Sequence, residues 1–483
     1  MNRASLICFT ALLLVGSVIA VTLIQQAGIV IGTGSSNTLE AELSEKFNKA
    51  PDVTVGTVSF DTDSVMQIDI VINPDDLRDM MNNPEKKELH EASAVIDGKD
   101  FGKVGIRTRG NTSMKIAQEY NSCRFYMELR LDAYNKDNSY NGVKRLNLNF
   151  EVYGYRLLTN YIIYNMMKEM NIISPECCFG FMTVNGVDWG VCAVVEEIDK
   201  SFLKKNFENP NGNLYRSFES EDEVVGELIP ESEEYWYFFR YLKLKTNTEA
   251  ADNSAFKTMA KSVAERDGYE KYFDVSALLR YSAFNRVFGN FDDFSMVCKN
   301  FFLYEKDGVF IVIPWDVNRS MFVNGSIEAK SVFDIVLEEG TGSIIKDFGL
   351  FIMLTEQEKY RKEYEVYVLE AINLLEESKI NALIDKAINL IDEYYQRDNT
   401  IPYPYEKWKN EIADGELWIY GNIKEAAQYY REQAFAQLKG YSDRYTVPDN
   451  YVHYTEDEID EMIEDKDYFA ILDEIEEAYE KYR

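Results

Sequence analysis

The amino-acid sequence predicts an α+β protein with a strand-rich N-terminal lobe, a helical C-terminal lobe and a cleft between them. Short alternating apolar runs, several joined by Asp-Gly or Asn-Gly steps, fill the chain up to about residue 197. Beyond that point, apolar residues recur mainly with helical spacing. The change of pattern places the boundary between the lobes near residues 197 to 215. An apolar N-terminal segment precedes both lobes.

That segment is an uncharged run from Ser5 to Leu23, about as long as a bilayer-spanning helix. Arg3 precedes it and the next charged residues are acidic, which predicts that everything after the run lies outside the cell. Residues 1–24 are therefore predicted to be a signal anchor in the membrane or a cleaved signal peptide, and residues 25–57 a tether. Both interpretations predict export, either as a single-pass cell-membrane protein with its C-terminal domain outside or as a secreted protein.

The strand-rich lobe is predicted to cover about residues 58–200. Its elements are a strand over Met66–Ile72, a hairpin over Ala92–Ile96 and Phe101–Arg109, a strand over Arg124–Asp132, a helix over Tyr155–Met170 and a hairpin over Phe181–Val195. Apolar residues occupy one face of the strand Arg124–Asp132. Arg124, Glu128 and Arg130 occupy the other face.

The helical lobe is predicted to cover about residues 201–445. Helical periodicity marks Ser201–Phe207, Tyr235–Lys245, Ser276–Phe288, Glu356–Tyr395 and Asn422–Tyr441. One β-hairpin interrupts it, because two apolar runs are joined by Asp307-Gly308. Residues 446–483 repeat acidic residues among scattered apolar ones and are predicted to form an acidic helical tail.

Composition narrows the possible chemistry. The 483 residues are 46% hydrophobic and carry a formal net charge of −32, which supports a buried core and argues against a nucleic-acid partner. With only two histidines, Ser-His-Asp catalysis and histidine metal sites are nearly excluded. The six cysteines include the adjacent pair Cys177-Cys178 and no C-x-x-C, so we expect buried thiols.

The strongest candidate site lies around the predicted hairpin of the second lobe. Asp292 precedes the hairpin in a loop, Asn300 begins its first strand and Asp316 follows its second. Carboxylate and amide oxygens at strand ends can bind Mg²⁺ and orient a hydroxyl group for phosphoryl transfer, as in protein kinases. The same residues could equally cap turns and helix ends.

A basic loop and a pair of glutamates offer further polar groups near the predicted cleft. Arg107 and Arg109 lie two residues apart, on one face of a strand that ends in a Gly-Asn turn. Arginine side chains and exposed backbone N–H groups are what phosphate oxygens require, although surface strands often carry such residues. Glu196 and Glu197 end the last predicted hairpin of the first lobe.

Seven short motifs occur in order along the chain, and together they resemble the spore-coat CotH kinase family. They are R-T-R-G-N-T-S (Arg107–Ser113), L-N-L-N (Leu146–Asn149), V-N-G-V-D-W-G-V (Val184–Val191), V-V-E-E-I-D (Val194–Asp199), G-N-F-D (Gly289–Asp292), N-F-F-L-Y (Asn300–Tyr304) and I-P-W-D (Ile313–Asp316). The resemblance covers roughly residues 58–445. It implies an atypical protein-kinase-like fold that uses ATP and Mg²⁺ or Mn²⁺ to phosphorylate Ser or Thr hydroxyls of proteins.

The resemblance also implies roles for individual residues. Asp292 matches the family's catalytic-loop aspartate, and Asp316 matches its metal-binding aspartate. Asn300 and Asn318 are implied as further metal ligands, and Asn318 stands where the family pattern W-D-F-D has another acid. The residues implied to lie near the nucleotide are Arg107, Arg109, Arg124 and Glu196.

Two departures from the family pattern leave a second interpretation open. Asn318 replaces an acid, and Glu128 aligns where similar members often carry lysine, with Arg124 or Arg130 as possible substitutes. A catalytically inactive surface scaffold or adhesion protein is therefore the alternative to an active kinase. A carboxylate-based metal hydrolase is a third possibility, but it gives the arginine loop no role.

Overall fold

The computed structural model describes residues 59–119, 122–152, 155–217, 242–248, 253–290, 292–297, 299–321, 332, 350–398, 400–401, 405–406, 409 and 423–442. The predicted anchor or signal segment, the tether and the acidic tail lie outside these residues. No helix within the described ranges is long and apolar enough to cross a membrane. The α+β class is confirmed, with strands dominating the first part of the chain and helices the second. The domain boundaries stay predictions.

The strands of the first part form a closed barrel. They are β1 (Val65–Ile72), β2 (His90–Ile96), β3 (Lys99–Arg109), β4 (Tyr126–Arg130), β5 (Arg145–Asn149), β6 (Cys177–Val184) and β7 (Val187–Glu196). Within the described residues the order around the barrel is β1-β2-β3-β4-β5-β7-β6, and the parallel pairing of β1 with β6 closes it. Asp97-Gly98 and Asn185-Gly186 form the predicted tight turns, all with positive φ.

Helices form the bulk of the second part, and a few lie between the strands of the first. They are α1 (Pro74–Asn82), α2 (Thr112–Glu119), α3 (Tyr155–Glu169), α4 (Lys200–Asn206), α5 (Ser254–Ala264), α6 (Val275–Val287), α7 (Phe294–Val297), α8 (Leu350–Thr355), α9 (Glu358–Leu374), α10 (Glu377–Gln396) and α11 (Ile423–Ser442). α3 and α10 pack against β6 and β7, while α6 packs against α9. Most of the predicted helices are thereby confirmed.

A second, four-stranded sheet lies in the part predicted to be mainly helical. It contains β8 (Asn213–Ser217), β9 (Leu242–Leu244), β10 (Phe301–Lys306) and β11 (Val309–Pro314), in the order β11-β10-β8-β9. The predicted hairpin is β10–β11, but the helix predicted over Tyr235–Lys245 is wrong at Leu242–Leu244. These residues pair with β8 instead, because backbone pairing with a neighbouring strand outweighs weak local helical periodicity.

Two large hydrophobic clusters organise the described residues. One fills the barrel and includes Ile70, Met127 and Leu148. The other begins on the outer face of β6, where Phe179 stacks on Tyr161 of α3 at 4.5 Å between ring centroids, and it continues through the helices and the second sheet. The described cysteines (Cys123, Cys177, Cys178 and Cys192) are free thiols, and the last three are buried.

Candidate functional site

Asp292, Asn300 and Asp316 meet at the open end of the β10–β11 hairpin. The Trp315 N–H donates to the Asn300 carbonyl at 3.0 Å, and Asn300 Nδ2 donates to the Asp292 carbonyl at 2.9 Å. Asn300 and Asp316 each have a φ of +53°, a left-handed conformation that Asn and Asp adopt more readily than most residues. The hairpin thus brings together three residues that the sequence separates.

The adjacent aspartates before α7 have opposite surroundings. Asp293 is buried, with Oδ1 3.5 Å from Arg286 Nη2 and Oδ2 accepting from the Ser295 hydroxyl at 2.8 Å. Asp292 is partly exposed, and its Oδ2 lies 3.3 Å from Arg319 Nη1. Asp293 is therefore a structural ion-pair residue, and Asp292 is the aspartate open to a ligand.

Asp316 lies in a field of opposing charges. Burial raises the pKa of its carboxyl above the ordinary 3.8, and the nearby charge of Asp292 raises that pKa further. Arg109 lowers the pKa most strongly, followed by Arg319 and Arg156. The charges of Asp292 and of three arginines therefore all act on Asp316, which suits a polyanionic ligand held together with a cation.

Arg109 is fixed beside Asp316 by contacts on several sides. Its Nη1 donates to Asn149 Oδ1 at 2.7 Å. Its guanidinium carbon lies 5.2 Å from the ring centroid of Trp315 and 5.8 Å from that of Tyr126. Stacking against aromatic rings holds the planar guanidinium in one orientation, so the cation next to Asp316 is pre-positioned.

Arg107 lies on the same face of β3 but its charge is balanced within the sheet. Arg107 Nε lies 2.5 Å from Glu128 Oε2, across the β3–β4 pair. Glu128 also accepts from Arg130 Nε at 3.0 Å. Burial opposes the ionisation of Glu128, but Arg130 and Arg107 outweigh it and lower its pKa below the ordinary 4.5. Glu128 therefore neutralises Arg107.

Asn318 lies in a buried hydrogen-bond network two residues after Asp316. Its Nδ2 donates to Tyr126 Oη and to Glu151 Oε1, each at 3.0 Å. Glu151 is a functional candidate that the sequence reasoning missed. It is the second residue after the L-N-L-N motif, so the only available signal was an acid just after an apolar strand.

The two adjacent glutamates at the end of β7 contact different partners. Glu196 is buried with Lys205, whose Nζ donates to its Oε2 at 2.6 Å, and burial raises the pKa of Glu196 above 4.5. Glu197 accepts from Asn147 Nδ2 at 2.9 Å. Glu196 therefore lies in a structural ion pair, and its predicted place near the nucleotide finds no support in these contacts.

Arg124 is enclosed rather than presented to a ligand. Its side chain is 0% exposed and forms an ion pair with Asp398 at 2.7 Å. It also donates to the carbonyls of Glu151 and Val191 and to the Thr400 hydroxyl. These contacts join the barrel to the segment after α10, which is a structural role. Arg124 has no exposed side-chain surface in this arrangement, so its place near the nucleotide stays a prediction.

Arg216 and Lys245 belong to the polar surface near the site, although the sequence reasoning did not single them out. Arg216, on β8, places its guanidinium carbon 5.6 Å from the ring centroid of Trp315. Burial lowers the pKa of Arg216, whereas the charges of Glu197 and Asp316 raise it. Lys245, directly after β9, is exposed to solvent. Strands β8 and β9 had not been predicted, so neither cation could be placed.

The donor atoms fit a divalent cation that binds together with a phosphate group. Within the described residues, no three His, Cys, Asp or Glu side chains are grouped as a complete metal site. Mg²⁺ commonly takes one or two protein carboxylates and completes its shell with water and phosphate oxygens. Asp292 and Asp316, with the Asn300 side-chain oxygen nearby, supply that smaller set of hard oxygen donors.

Comparisons with known proteins agree with the motifs. The sequence matches the family described as CotH kinase protein over residues 106–438. It is 23% identical to the inner spore coat protein H of Bacillus subtilis (strain 168) over 355 residues, which cover 68% of this chain and 89% of that protein. The structure also aligns with a chain of a solved complex from Shewanella oneidensis MR-1, which contains the toxin–antitoxin system HipA and HipB with its operator DNA. The alignment covers 61% of this chain and 57% of that chain, with 14% sequence identity and a TM-score of 0.27.

A TM-score of that size does not establish a common fold. The family match is different, because it spans more than half of the sequence, from within β3 to within α11, and contains the whole candidate site. The chain belongs to the CotH kinase family.

Proposed function

We propose that the chain is a CotH-type protein kinase that transfers the γ-phosphate of ATP to Ser or Thr hydroxyls of extracytoplasmic or surface proteins. The observation that carries the proposal is the meeting of Asp292, Asp316 and Arg109 at the open end of the β10–β11 hairpin. Family membership supports the reaction class. A two-lobed kinase-like arrangement, and ATP with Mg²⁺ or Mn²⁺ as cofactors, belong to the same proposal.

The residues of the site have separable roles in this proposal. Bound ATP and its metal supply the phosphoryl group and much of the charge neutralisation that its transfer needs. Asp316 and Asn300 hold the metal. Asp292 accepts a hydrogen bond from the substrate hydroxyl and orients it for attack, while Arg319 at 3.3 Å steadies the Asp292 carboxylate. Arg109 binds phosphate oxygens from its fixed position.

Single charge-removing substitutions test the proposal. We expect Asp292→Asn and Asp316→Asn each to reduce phosphate incorporation from labelled ATP by about 100-fold or more, because each removes a carboxylate that acts in the transition state. Incorporation into the protein itself and into an added protein acceptor is measured. Asp307→Asn is the matched control, since it lies in the turn of the same hairpin and Asn tolerates its φ of +54°. Equal incorporation by all four proteins would contradict the proposal.

A surface scaffold without catalysis is the second candidate function. The pairing of Arg107 with Glu128 and the amide at Asn318 favour it, because both reduce the charge available to phosphates and metal. Calorimetric titration of the protein with ATP, with and without Mg²⁺, separates the two candidates. A scaffold shows no metal-dependent heat of nucleotide binding, whereas the kinase does.

The location proposed for the protein is the cell exterior, held to the membrane by the N-terminal apolar run or released after its cleavage. The apolar run and the spore-coat relative support export. Fractionation of cells that express the full chain tests it. Recovery of the protein in the cytoplasmic fraction would contradict it.

A further inference from the structure

A buried hydrogen-bond network around Asn318, two residues after Asp316 in the chain, takes no part in the steps proposed so far. Glu151 Oε1 is its centre and accepts from Asn318 Nδ2 at 3.0 Å and from Asn160 Nδ2 at 3.1 Å. The Tyr126 hydroxyl donates to the same oxygen and accepts from Asn318 at 3.0 Å. Asn318, Tyr126 and Glu151 thus form a closed ring of three hydrogen bonds. All four side chains in the network are buried.

We infer that Glu151 is a positioning residue that places an acidic side chain beside Asp316, and that Asn318 is the amide donor that holds it there. The inference rests on the proposed function, because its purpose is to support the metal-binding aspartate. An ionised carboxylate only accepts hydrogen bonds, whereas an amide NH₂ donates two. Asn318 uses both donors on its two partners in the ring. An aspartate at position 318 would face Glu151 acceptor to acceptor.

The acid missing from position 318 is therefore present 3.0 Å away, on the segment that follows β5. The charges around it agree with this placement. Burial raises the pKa of the Glu151 carboxyl and the charge of Asp316 raises it further, while Arg156 lowers the pKa of both carboxyls. The charge of Arg156 thus favours the ionised form of both Glu151 and Asp316. The hydrogen-bond network around Asn318 thus contains an acid that the sequence motif does not show.

An exchange of donor and acceptor tests the hydrogen-bond part of the inference. We expect Glu151→Gln and Asn318→Asp each to lower the Tm of the ligand-free protein by a few degrees, because each leaves buried groups mismatched. The double variant restores a donor opposite an acceptor, so we expect its Tm to return close to that of the wild-type protein. Losses that simply add in the double variant would overturn the inference.

Metal binding provides a second measurement, which Glu151→Gln would leave unchanged if Glu151 had a purely structural role. We expect Glu151→Gln to weaken Mn²⁺-dependent binding of a non-hydrolysable ATP analogue by about 10-fold or more, as for other residues that support metal ligands, and the double variant to regain most of that affinity. Calorimetric titration measures it. Glu363→Gln is the matched control, because Glu363 is a buried carboxylate that accepts from the Tyr367 hydroxyl at 3.0 Å within α9. It should leave the affinity unchanged.

The outcomes separate this inference from the proposed function. If the wild-type protein binds the Mn²⁺–nucleotide and Glu151→Gln binds it equally well, the inference is wrong and the proposed function stands. If the wild-type protein shows no metal-dependent nucleotide binding, the proposed function fails and the inference fails with it.

Discussion

At the scale of single residues, the site depends on which of two neighbouring acids points toward it. Asp292 and Asp293 are adjacent, yet Asp293 is buried beside Arg286 and only Asp292 is open. Glu196 and Glu197 are also adjacent, and the motif match favoured Glu196, whereas Glu197 is the glutamate whose charge acts on Arg216. Successive side chains of a strand point to opposite faces, so a one-residue difference in alignment changes the face.

Glu128 departs from the family pattern in the sequence, but its neighbours in the sheet account for it. A glutamate near phosphates would repel them, but cross-strand pairing sets Glu128 against Arg107 and next to Arg130. Motif comparison cannot detect this ion pair, because the pair depends on the register of β3 with β4. The ion pair also makes a prediction about stability.

We expect Glu128→Gln to lower the free energy of unfolding by about 1.5–3 kcal/mol at pH 7, the range for a hydrogen bond to a charged group. The pKa of Glu128 in the folded state lies below 4.5, so its ionised form stabilises the protein above that pH. This contribution disappears as the pH falls through the folded-state pKa, and the two proteins should converge. Urea unfolding at a series of pH values measures the difference.

Glu91→Gln is a suitable control for that series, because Glu91 pairs with Lys103 on the exposed side of the barrel and should matter little. A difference between wild-type and Glu128→Gln proteins that stays constant down to about pH 3 would contradict an ionised, paired Glu128.

At the scale of secondary structure elements, turns were the most informative part of the sequence. Asp97-Gly98, Asn185-Gly186 and Asp307-Gly308 each join two strands with positive φ, as their residue types predict. The sequence contains no Asp-Gly or Asn-Gly step between strands β8 and β9, which residues 218–241 separate in the chain. Their pairing is set by tertiary contact, so Arg216, which depends on it, could not be placed in advance.

Arg124 and Asp398 illustrate an element-level contact that sequence patterns could not reveal, because 274 positions separate them. We expect Asp398→Asn to lower the free energy of unfolding by about 3–5 kcal/mol, because it leaves the buried Arg124 guanidinium without a counter-charge. Asp398 also accepts from the Val191 N–H at 2.8 Å, so the link between β7 and the end of α10 weakens. Urea unfolding at pH 7 measures the loss.

The same two elements provide a matched control. Asp188 on β7 pairs with Arg397 at 2.9 Å, but both side chains are partly exposed to solvent. We expect Asp188→Asn to have a much smaller effect than Asp398→Asn, because solvent screens exposed ion pairs. Similar losses in the two variants would show that burial is not what makes the Arg124–Asp398 pair important.

At the scale of the whole molecule, the strand-rich and helical parts share a core. The sequence predicted two lobes from a change in periodicity near residue 197. Periodicity reports which local structure forms but not which apolar faces meet. In the described residues, the outer face of β6 belongs to the same hydrophobic cluster as α6 and α9. Phe179, on β6, is therefore part of the core of the helical region.

This shared core predicts cooperative unfolding. We expect Phe179→Ala to lower the free energy of unfolding by about 3–5 kcal/mol, and Ile70→Val, inside the barrel, by about 0.5–1.5 kcal/mol. Because the two clusters meet through β6, both substitutions should move one calorimetric transition, by amounts in that order. Two resolved transitions, with Ile70→Val shifting one and Phe179→Ala shifting the other, would mean that the barrel and the helical region unfold independently.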